Sequence, residues 1–171
     1  MESGAATDEA LSSVEWAQWR AFALMSRRVM SAVETRLQRD AGVSGADFEI
    51  LDALERSSNH KARAKDLAEM LSWEKSRISH QVTRMMERGL VKRTNCEQDL
   101  RGSWIQLTTD GLAALVTARP HYAAAVRSVF LKQMDEDQAA SLAITAIKVV
   151  SGTPAAKCQV EVDQLAKALE Q

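Results

Sequence analysis

The sequence predicts a mainly α-helical fold with one small β-hairpin between the helices. Apolar residues recur at spacings of three and four along most of the chain, which is typical of amphipathic helices. The exception is a stretch where two short strand-like segments, residues 91–93 and 104–107, flank a polar loop. The 171 residues, 46% hydrophobic and 26% charged, can form one core together with an oligomerisation layer.

Three helices are predicted before the middle of the chain. The first begins at about residue 14 and ends near Ala41 and Gly42. Its apolar side is formed by Ala17, Ala21, Leu24, Met25, Val29, Val33 and Leu37, and is widened by Trp16, Trp19 and Phe22. Residues 44–47 form a turn and cap before a second helix, whose inward side chains are Phe48, Leu51 and Leu54. A third helix covers residues 63–71, with Leu67, Ala68 and Leu71 inward.

A fourth helix, residues 74–88, has two chemically different faces. At 100° per residue, one face is apolar and consists of Ile78, Val82, Met85 and Met86. The opposite face carries a hydroxyl, an imidazole and two guanidinium groups, from Ser76, Arg77, His80 and Arg84, with Lys75 and Gln81 on its flank. These groups suit guanine edges and phosphate oxygens, so we expect this face to enter a groove of duplex DNA.

The predicted hairpin follows this helix directly, after Gly89. Its polar loop, residues 94–103, carries Arg101, with Gly102 relaxing the backbone at the tip. An arginine at this place can enter a narrow minor groove, and Asp99 can hold its guanidinium in one direction. A helix followed by such a hairpin is the layout of a winged helix-turn-helix.

Charge is distributed unevenly along the chain. Residues 61–104 contain ten basic and six acidic side chains, a local charge of +4, whereas the whole chain has a net charge of −1. A basic segment in an acidic frame can neutralise phosphates locally without general binding to polyanions. The alternative is an ordinary solvated charged face.

Two further helical regions follow the hairpin. The first begins after Thr108, has Leu112, Leu115 and Val116 inward, and should be interrupted at Pro120. The second follows Asp135 and contains Leu142, Ile144, Ile147 and Val150. A small winged domain cannot bury all these helices, so we expect them to pair with a second copy of the chain. The predicted segments are therefore residues 1–42 for dimerisation, 43–108 for DNA binding, and 109–171 for dimerisation with an extra tail.

The chain resembles the MarR family of transcriptional regulators. The resemblance rests on the wing pattern of Asp99, Arg101, Trp104, Ile105, Leu107 and Thr108, and on two helices that look like the family's paired helices, residues 66–71 and 76–82. It extends over residues 14–150 and is specific over residues 64–108. It implies that Asp99 and Arg101 form the minor-groove contact, and that the chain is a homodimeric regulator, expected to be a repressor, of a pseudo-palindromic operator.

The resemblance also implies a site for a small effector, often aromatic or phenolic, between the dimer helices and the winged domain. Residues with aromatic walls or suitable polar groups are the candidates: Trp16, Trp19, Arg20, Phe48 and His121. The alternative for the tryptophans is packing in the dimer interface.

Enzyme chemistry finds no support in the sequence. The three histidines stand far apart from metal-ligand partners, and no phosphate loop or nucleophile elbow is present, so we expect neither a metal nor a cofactor. Without an apolar run of about 20 residues or a secretory signal, a cytoplasmic location is expected, with no membrane partner.

Two rival functions remain open. The first is a redox-sensing regulator that uses Cys96, although the first helix lacks the cysteine of peroxide-sensing family members. The second is a helical interaction module that does not bind DNA. Residues 157–170 predict either a short helix packing across the dimer or a frayed tail.

Overall fold

A computed structural model describes residues 10–96, 99–152 and 166–167 of the chain. Six α-helices and three β-strands lie within these residues, together with single 3-10 turns at Ser58–His60 and Leu131–Gln133. In chain order the elements are α1 (Ser13–Ala41), α2 (Gly45–Arg56), β1 (Lys61–Arg63), α3 (Ala64–Met70), α4 (Lys75–Glu87), β2 (Val91–Cys96), β3 (Asp99–Leu107), α5 (Thr109–Val129) and α6 (Glu136–Ser151). The fold is thus mainly α-helical with a small β-wing, as the sequence predicts.

Local hydrogen bonds fix the ends of the first two helices. Gly42 terminates α1 in the left-handed conformation, with a φ of 65° that favours glycine. Two residues later, the Ser44 hydroxyl accepts from the Asp47 amide and the Asp47 carboxylate accepts from the Ser44 amide, which forms a reciprocal capping box for α2. The predicted turn and cap are therefore confirmed, and the two helices leave this corner in fixed directions.

The core lies under the winged part of the chain. Its completely buried side chains come from the end of α1, from α2, α3, α4 and β3, and from α5, and include Leu37, Ile50, Leu51, Leu54, Leu67, Ile78, Met85, Ile105 and Leu115. By contrast, the first two-thirds of α1 contributes no buried residue, and α6 contributes none along its whole length. The helices at the two ends of the chain therefore keep apolar surface exposed.

The β-sheet differs from the predicted hairpin in two ways. It has a third strand, β1, so that the order is β1-β3-β2 with both pairs antiparallel. The strands β2 and β3 also extend through most of the predicted loop of residues 94–103, because their ladder continues to the pair of Cys96 and Asp99. Between Asn95 and Cys96 the register shifts, since Asn95 pairs with Ser103. Arg101 therefore lies in this irregular part of β3 and Gly102 does not form a loop tip.

The predicted interruption at Pro120 is wrong, because helix α5 continues through this residue. A proline in a helix costs about 3 kcal/mol because it removes a hydrogen bond and clashes with the preceding turn. Buried Ala118 and Ala125 on either side of Pro120 pack this helix against the rest of the fold, which offsets that cost.

Three predicted inward residues are exposed. Met86 on α4 is 38% exposed, and Leu112 and Val116 on α5 are 37% and 58% exposed. Each directly follows a buried residue, since Met86 follows Met85, Leu112 follows Gly111 and Val116 follows Leu115. One further residue along the helix turns the side chain about 100° away from the buried face.

Candidate nucleic-acid interface

Helix α4 presents one buried and one exposed face. Ile78, Val82 and Met85 are completely buried and fix its rotation. The opposite face exposes five of the residues predicted to contact DNA: Lys75, Ser76, Arg77, His80 and Arg84. Within the described residues, no ion pair involves Lys75, Arg77 or Arg84. The exposed face therefore carries cations whose charge this part of the chain leaves uncompensated.

The sixth predicted residue of α4, Gln81, has a different environment. It is half-buried, and its Nε2 donates to Oδ1 of Asp47 on α2 at 2.7 Å. Its side-chain amide therefore joins α4 to α2.

Asp47 also receives a cation from the end of α4. Nη1 of Arg88 donates to Asp47 Oδ2 at 2.6 Å, and the Asp47 side chain is completely buried. Burial raises the pKa of this carboxyl, but the hydrogen bonds from Arg88 and Ser44 outweigh that effect and hold the pKa below its usual value. The carboxylate is therefore charged at neutral pH and anchors α4 at two points along its length. Sequence reasoning missed this pair, because Asp47 and Arg88 are 41 positions apart.

The end of α4 is joined to the wing and to α5. Gly89, with a φ of 71°, reverses the chain, and the Thr108 hydroxyl donates to the carbonyl oxygens of Gly89 and Leu90 at 2.7 and 2.9 Å. Gly111 allows this contact, because a Cβ there would collide with the Leu90 carbonyl oxygen. The position of the wing relative to α4 is thus fixed at its base.

Several of the cationic side chains form cation–π contacts with aromatic rings. The guanidinium carbon of Arg77 lies 3.6 Å from the centroid of the Trp73 ring. On the sheet, the cationic groups of Lys61 and Arg63 lie 5.1 and 5.0 Å from the centroid of the Trp104 ring. These contacts were not predicted, although aromatic residues close to basic ones are visible in the sequence.

Two predicted DNA contacts lie in the wing. The backbone of Asp99 and Arg101 belongs to β3, but their side chains lie outside the described part of the structure, as does the side chain of Cys96. Cys158 and most of the tail predicted over residues 157–170 are also outside it.

The predicted effector residues do not lie together in the structure. Phe48 stacks on Tyr122 with ring centroids 4.3 Å apart, and both line a cavity of about 290 Å³ that also contacts Glu49, Asp52, Arg56, Met70 and Leu71. Trp16 and Trp19 are 44% and 56% exposed near the start of α1, where Arg20 lies over Trp16 at 5.4 Å. Half-buried His121 precedes Tyr122 on α5 but does not line the cavity.

The cavity lies beside a charged contact between α2 and α5. Nη2 of Arg119 donates to Asp52 and to Glu55, at 3.0 Å in each case. Tyr122, one turn further along α5, has its pKa raised by burial and by the nearby carboxylates of Glu49 and Asp52. The tyrosine hydroxyl is therefore neutral at physiological pH and available as a hydrogen-bond donor.

The described residues contain neither a metal-binding cluster nor a membrane-spanning helix. In residues 10–96, 99–152 and 166–167, no cluster of three or more His, Cys, Asp or Glu side chains is arranged to hold a metal ion. None of the helices in the same residues has the length and hydropathy needed to cross a bilayer.

Comparison with known proteins identifies similar chains. A family model described as "MarR family" matches residues 41–102. The structure of AbsC, a MarR family transcriptional regulator from Streptomyces coelicolor, is 35% identical over 84% of this chain and 95% of AbsC, with a TM-score of 0.76. Sco3205, a MarR family regulator from the same organism solved in complex with DNA, is 28% identical over 88% of this chain and 94% of its own, with a TM-score of 0.81.

A more distant similarity concerns the fold alone. The organohalide-sensing regulator RdhR-CbdbA1625, solved with bound 2,4-dichlorophenol, has a TM-score of 0.75 at 17% identity, over 88% of this chain and 90% of its own. A search of curated proteins finds no match to this chain.

Proposed function

This chain belongs to the MarR family of transcriptional regulators, and we propose that it is a cytoplasmic homodimeric repressor that binds a pseudo-palindromic operator through α4 and the wing. The observation that carries the proposal is the exposed face of α4, where Lys75, Arg77 and Arg84 have no carboxylate partner among the described residues. Uncompensated cations on a helix with a firmly packed opposite face suit phosphates and the acceptor edges of guanine. The solved complex of Sco3205 with DNA supports the same use of the fold.

The roles on α4 follow from exposure and chemistry. Arg77, His80 and Ser76 are assigned to base edges, and Lys75 and Arg84 to the phosphates that flank them. Asp99 and Arg101 are proposed for the minor groove. Gln81 is assigned a supporting role, because its amide is bonded to Asp47.

The second copy is proposed from the exposed apolar surface at both ends of the chain. Large apolar side chains on α1 and α6 are more than 40% exposed, among them Trp16, Trp19, Phe22, Leu24, Met30, Ile144, Val149 and Val150. Patches of this kind on a chain without a membrane-spanning helix among its described residues are typical of a protein interface. A twofold pairing of residues 1–42 and 109–171 would place the two α4 helices of the 43–108 units about 34 Å apart, one turn of DNA.

The effector is proposed to occupy the cavity at Phe48 and Tyr122. Its volume, about 290 Å³, and its stacked aromatic wall suit a small aromatic or phenolic molecule, with Arg56 and the Tyr122 hydroxyl as polar partners. The cavity adjoins α2 and α5, so a ligand there can favour a dimer whose α4 spacing does not fit the operator. Four other predicted effector residues do not line this cavity: Trp16, Trp19, Arg20 and His121. We assign the two tryptophans to the dimer interface.

The test is a gel shift of the purified full-length protein on its own upstream intergenic DNA. We expect a discrete complex that Arg84→Ala weakens about fivefold or more at physiological salt, since a phosphate contact is removed. Lys132→Ala, which removes another exposed cation, near α6, is the matched control and should leave binding unchanged.

Repeating the shift with aromatic acids and phenols tests the effector, and Tyr122→Leu should reduce the response without reducing DNA binding. Equal affinity for operator and scrambled duplexes would reject the proposed function. It would favour the interaction module that does not bind DNA.

A further inference from the structure

We infer that Trp73 is a positioning residue. Its ring holds the Arg77 guanidinium so that the N–H donors are directed at one guanine in each half-site. This inference rests on the proposed function and goes beyond it, because it assigns sequence discrimination to a residue outside α4. The contact between the two side chains, the anchoring of the ring and the lack of any other partner for Arg77 carry the argument.

Trp73 is held in place through both its backbone and its side chain. Its backbone N–H donates to the Ala68 carbonyl oxygen at 3.0 Å, across the turn between α3 and α4, where Ser72 has a φ of 51°. Its half-buried side chain packs against the hydrophobic core. The ring therefore belongs to the rigid part of the fold, although it lies just before the N-cap residue of α4.

Arg77 lies on this ring. The guanidinium carbon of Arg77 lies 3.6 Å from the ring centroid, which places it in van der Waals contact with the face of the ring. The other cation–π contacts of the described residues are longer, between 5.0 and 5.4 Å. All five N–H groups of a guanidinium point outward in its plane, so stacking on one face leaves every donor free.

Those donors have no partner in the described chain. No hydrogen bond or ion pair involves the Arg77 guanidinium within those residues, and the first turn of α4 contains no acidic residue. A cation in the first turn of a helix is disfavoured by the helix dipole. The charge of Arg77 is therefore balanced neither by the helix dipole nor by a carboxylate, and its placement is suited to an anionic or acceptor-rich ligand.

The stack changes what Arg77 can recognise. A free arginine loses rotamer freedom when it forms a two-point contact, whereas one already held by a ring has lost much of that freedom before binding. A planar donor pair of fixed direction matches O6 and N7 of guanine in the major groove. His80 and Arg84, on the same exposed face, have no aromatic support among the described contacts, so discrimination should depend most on Arg77.

The experiment selects preferred duplexes from a randomised library with the full-length protein, and then measures affinities for single base-pair changes in the selected duplex. Trp73→Leu keeps apolar bulk but removes the π face, and Trp73→Tyr keeps an aromatic face. We expect one G·C pair per half-site at which Trp73→Leu reduces discrimination about fivefold, with Trp73→Tyr retaining most of it.

Arg77→Lys keeps the charge and the tryptophan but loses the planar fork, so it should lose discrimination at the same base pair. Neither Trp73→Leu nor Arg77→Lys should change the salt dependence of binding, because the number of charges is unchanged. Combining Trp73→Leu with Arg77→Ala should cost no more discrimination than Arg77→Ala alone.

The possible failures are separate. A wild-type protein that selects no sequence rejects the proposed function itself. A wild-type protein that selects a sequence, with a folded Trp73→Leu variant that discriminates equally well, overturns the positioning role and leaves the function intact. If Trp73→Leu does not fold, Arg77→Lys decides, and unchanged discrimination in that variant also overturns the inference.

Discussion

Replacing Asp47 by alanine is expected to destabilise the fold by about 3 kcal/mol. The Asp47 carboxylate is completely buried and accepts hydrogen bonds from the Ser44 amide at 3.1 Å, Gln81 at 2.7 Å and Arg88 at 2.6 Å. Loss of the capping interaction costs about 1 kcal/mol. Loss of a charge-assisted bond costs about 1.5–3 kcal/mol, and we take the lower part of that range because the Arg88 side chain is 45% exposed.

The measurement is urea unfolding at one fixed protein concentration, since association of copies would otherwise change the apparent stability. Asp137→Ala is the matched control, because it removes an exposed carboxylate from the first turn of α6. It should cost about 0.5 kcal/mol, the value of a surface charge at a helix N-terminus. Equal losses in the two variants would refute the anchoring role of Asp47.

The pH dependence provides a second readout for Asp47. Its pKa is lowered in the folded state, so the stabilisation from its charge is fully present above the unfolded value of about 3.9. That contribution is lost as the pH falls from there through the folded pKa. Asp47→Asn should therefore be less stable at neutral pH and lose less stability than the wild type below about pH 4.

Three further substitutions test other parts of the fold. Pro120→Ala should stabilise by about 2 kcal/mol in thermal or urea unfolding, because an exposed proline inside α5 is replaced by a good helix former; a loss of stability would contradict this. Gly111→Ala should destabilise by about 2 kcal/mol through its clash with Leu90, whereas Gly152→Ala, where a Cβ meets only ordinary contacts, should be nearly neutral. Phe22→Glu should shift the proposed dimer towards monomer in sedimentation equilibrium, and an unchanged mass would argue against α1 as the interface.

The sequence predicts helices well in this chain because their signals are local. Apolar spacing and caps lie within a few residues of each other, and so α1, α2 and α4 occur within a few residues of their predicted bounds. The strand β1 has only three residues and exists through pairing with β3, more than 40 positions later. No local pattern of that length distinguishes a strand from a loop.

The candidate site shows the same division between local and long-range information. The exposed face of α4 follows from its 100° periodicity, and the structure exposes Arg77, His80 and Arg84 as that pattern predicts. The partner of Arg88 and the second function of Asp47 depend on how α2 crosses α4, which spacing along the chain does not contain. The DNA-contact roles of these side chains remain predictions.

The position of Trp73 has a consequence for chimeric proteins. Recognition helices are natural units to exchange between relatives, and here the obvious unit is Lys75–Glu87. Such a transplant would carry Arg77 without the ring that supports it, and would deliver a flexible cation in place of an oriented one. If Trp73 positions Arg77 as inferred, a graft that transfers sequence preference must start before the helix, at the turn that contains Trp73, so the inherited module is longer than the helix proposed to contact the bases.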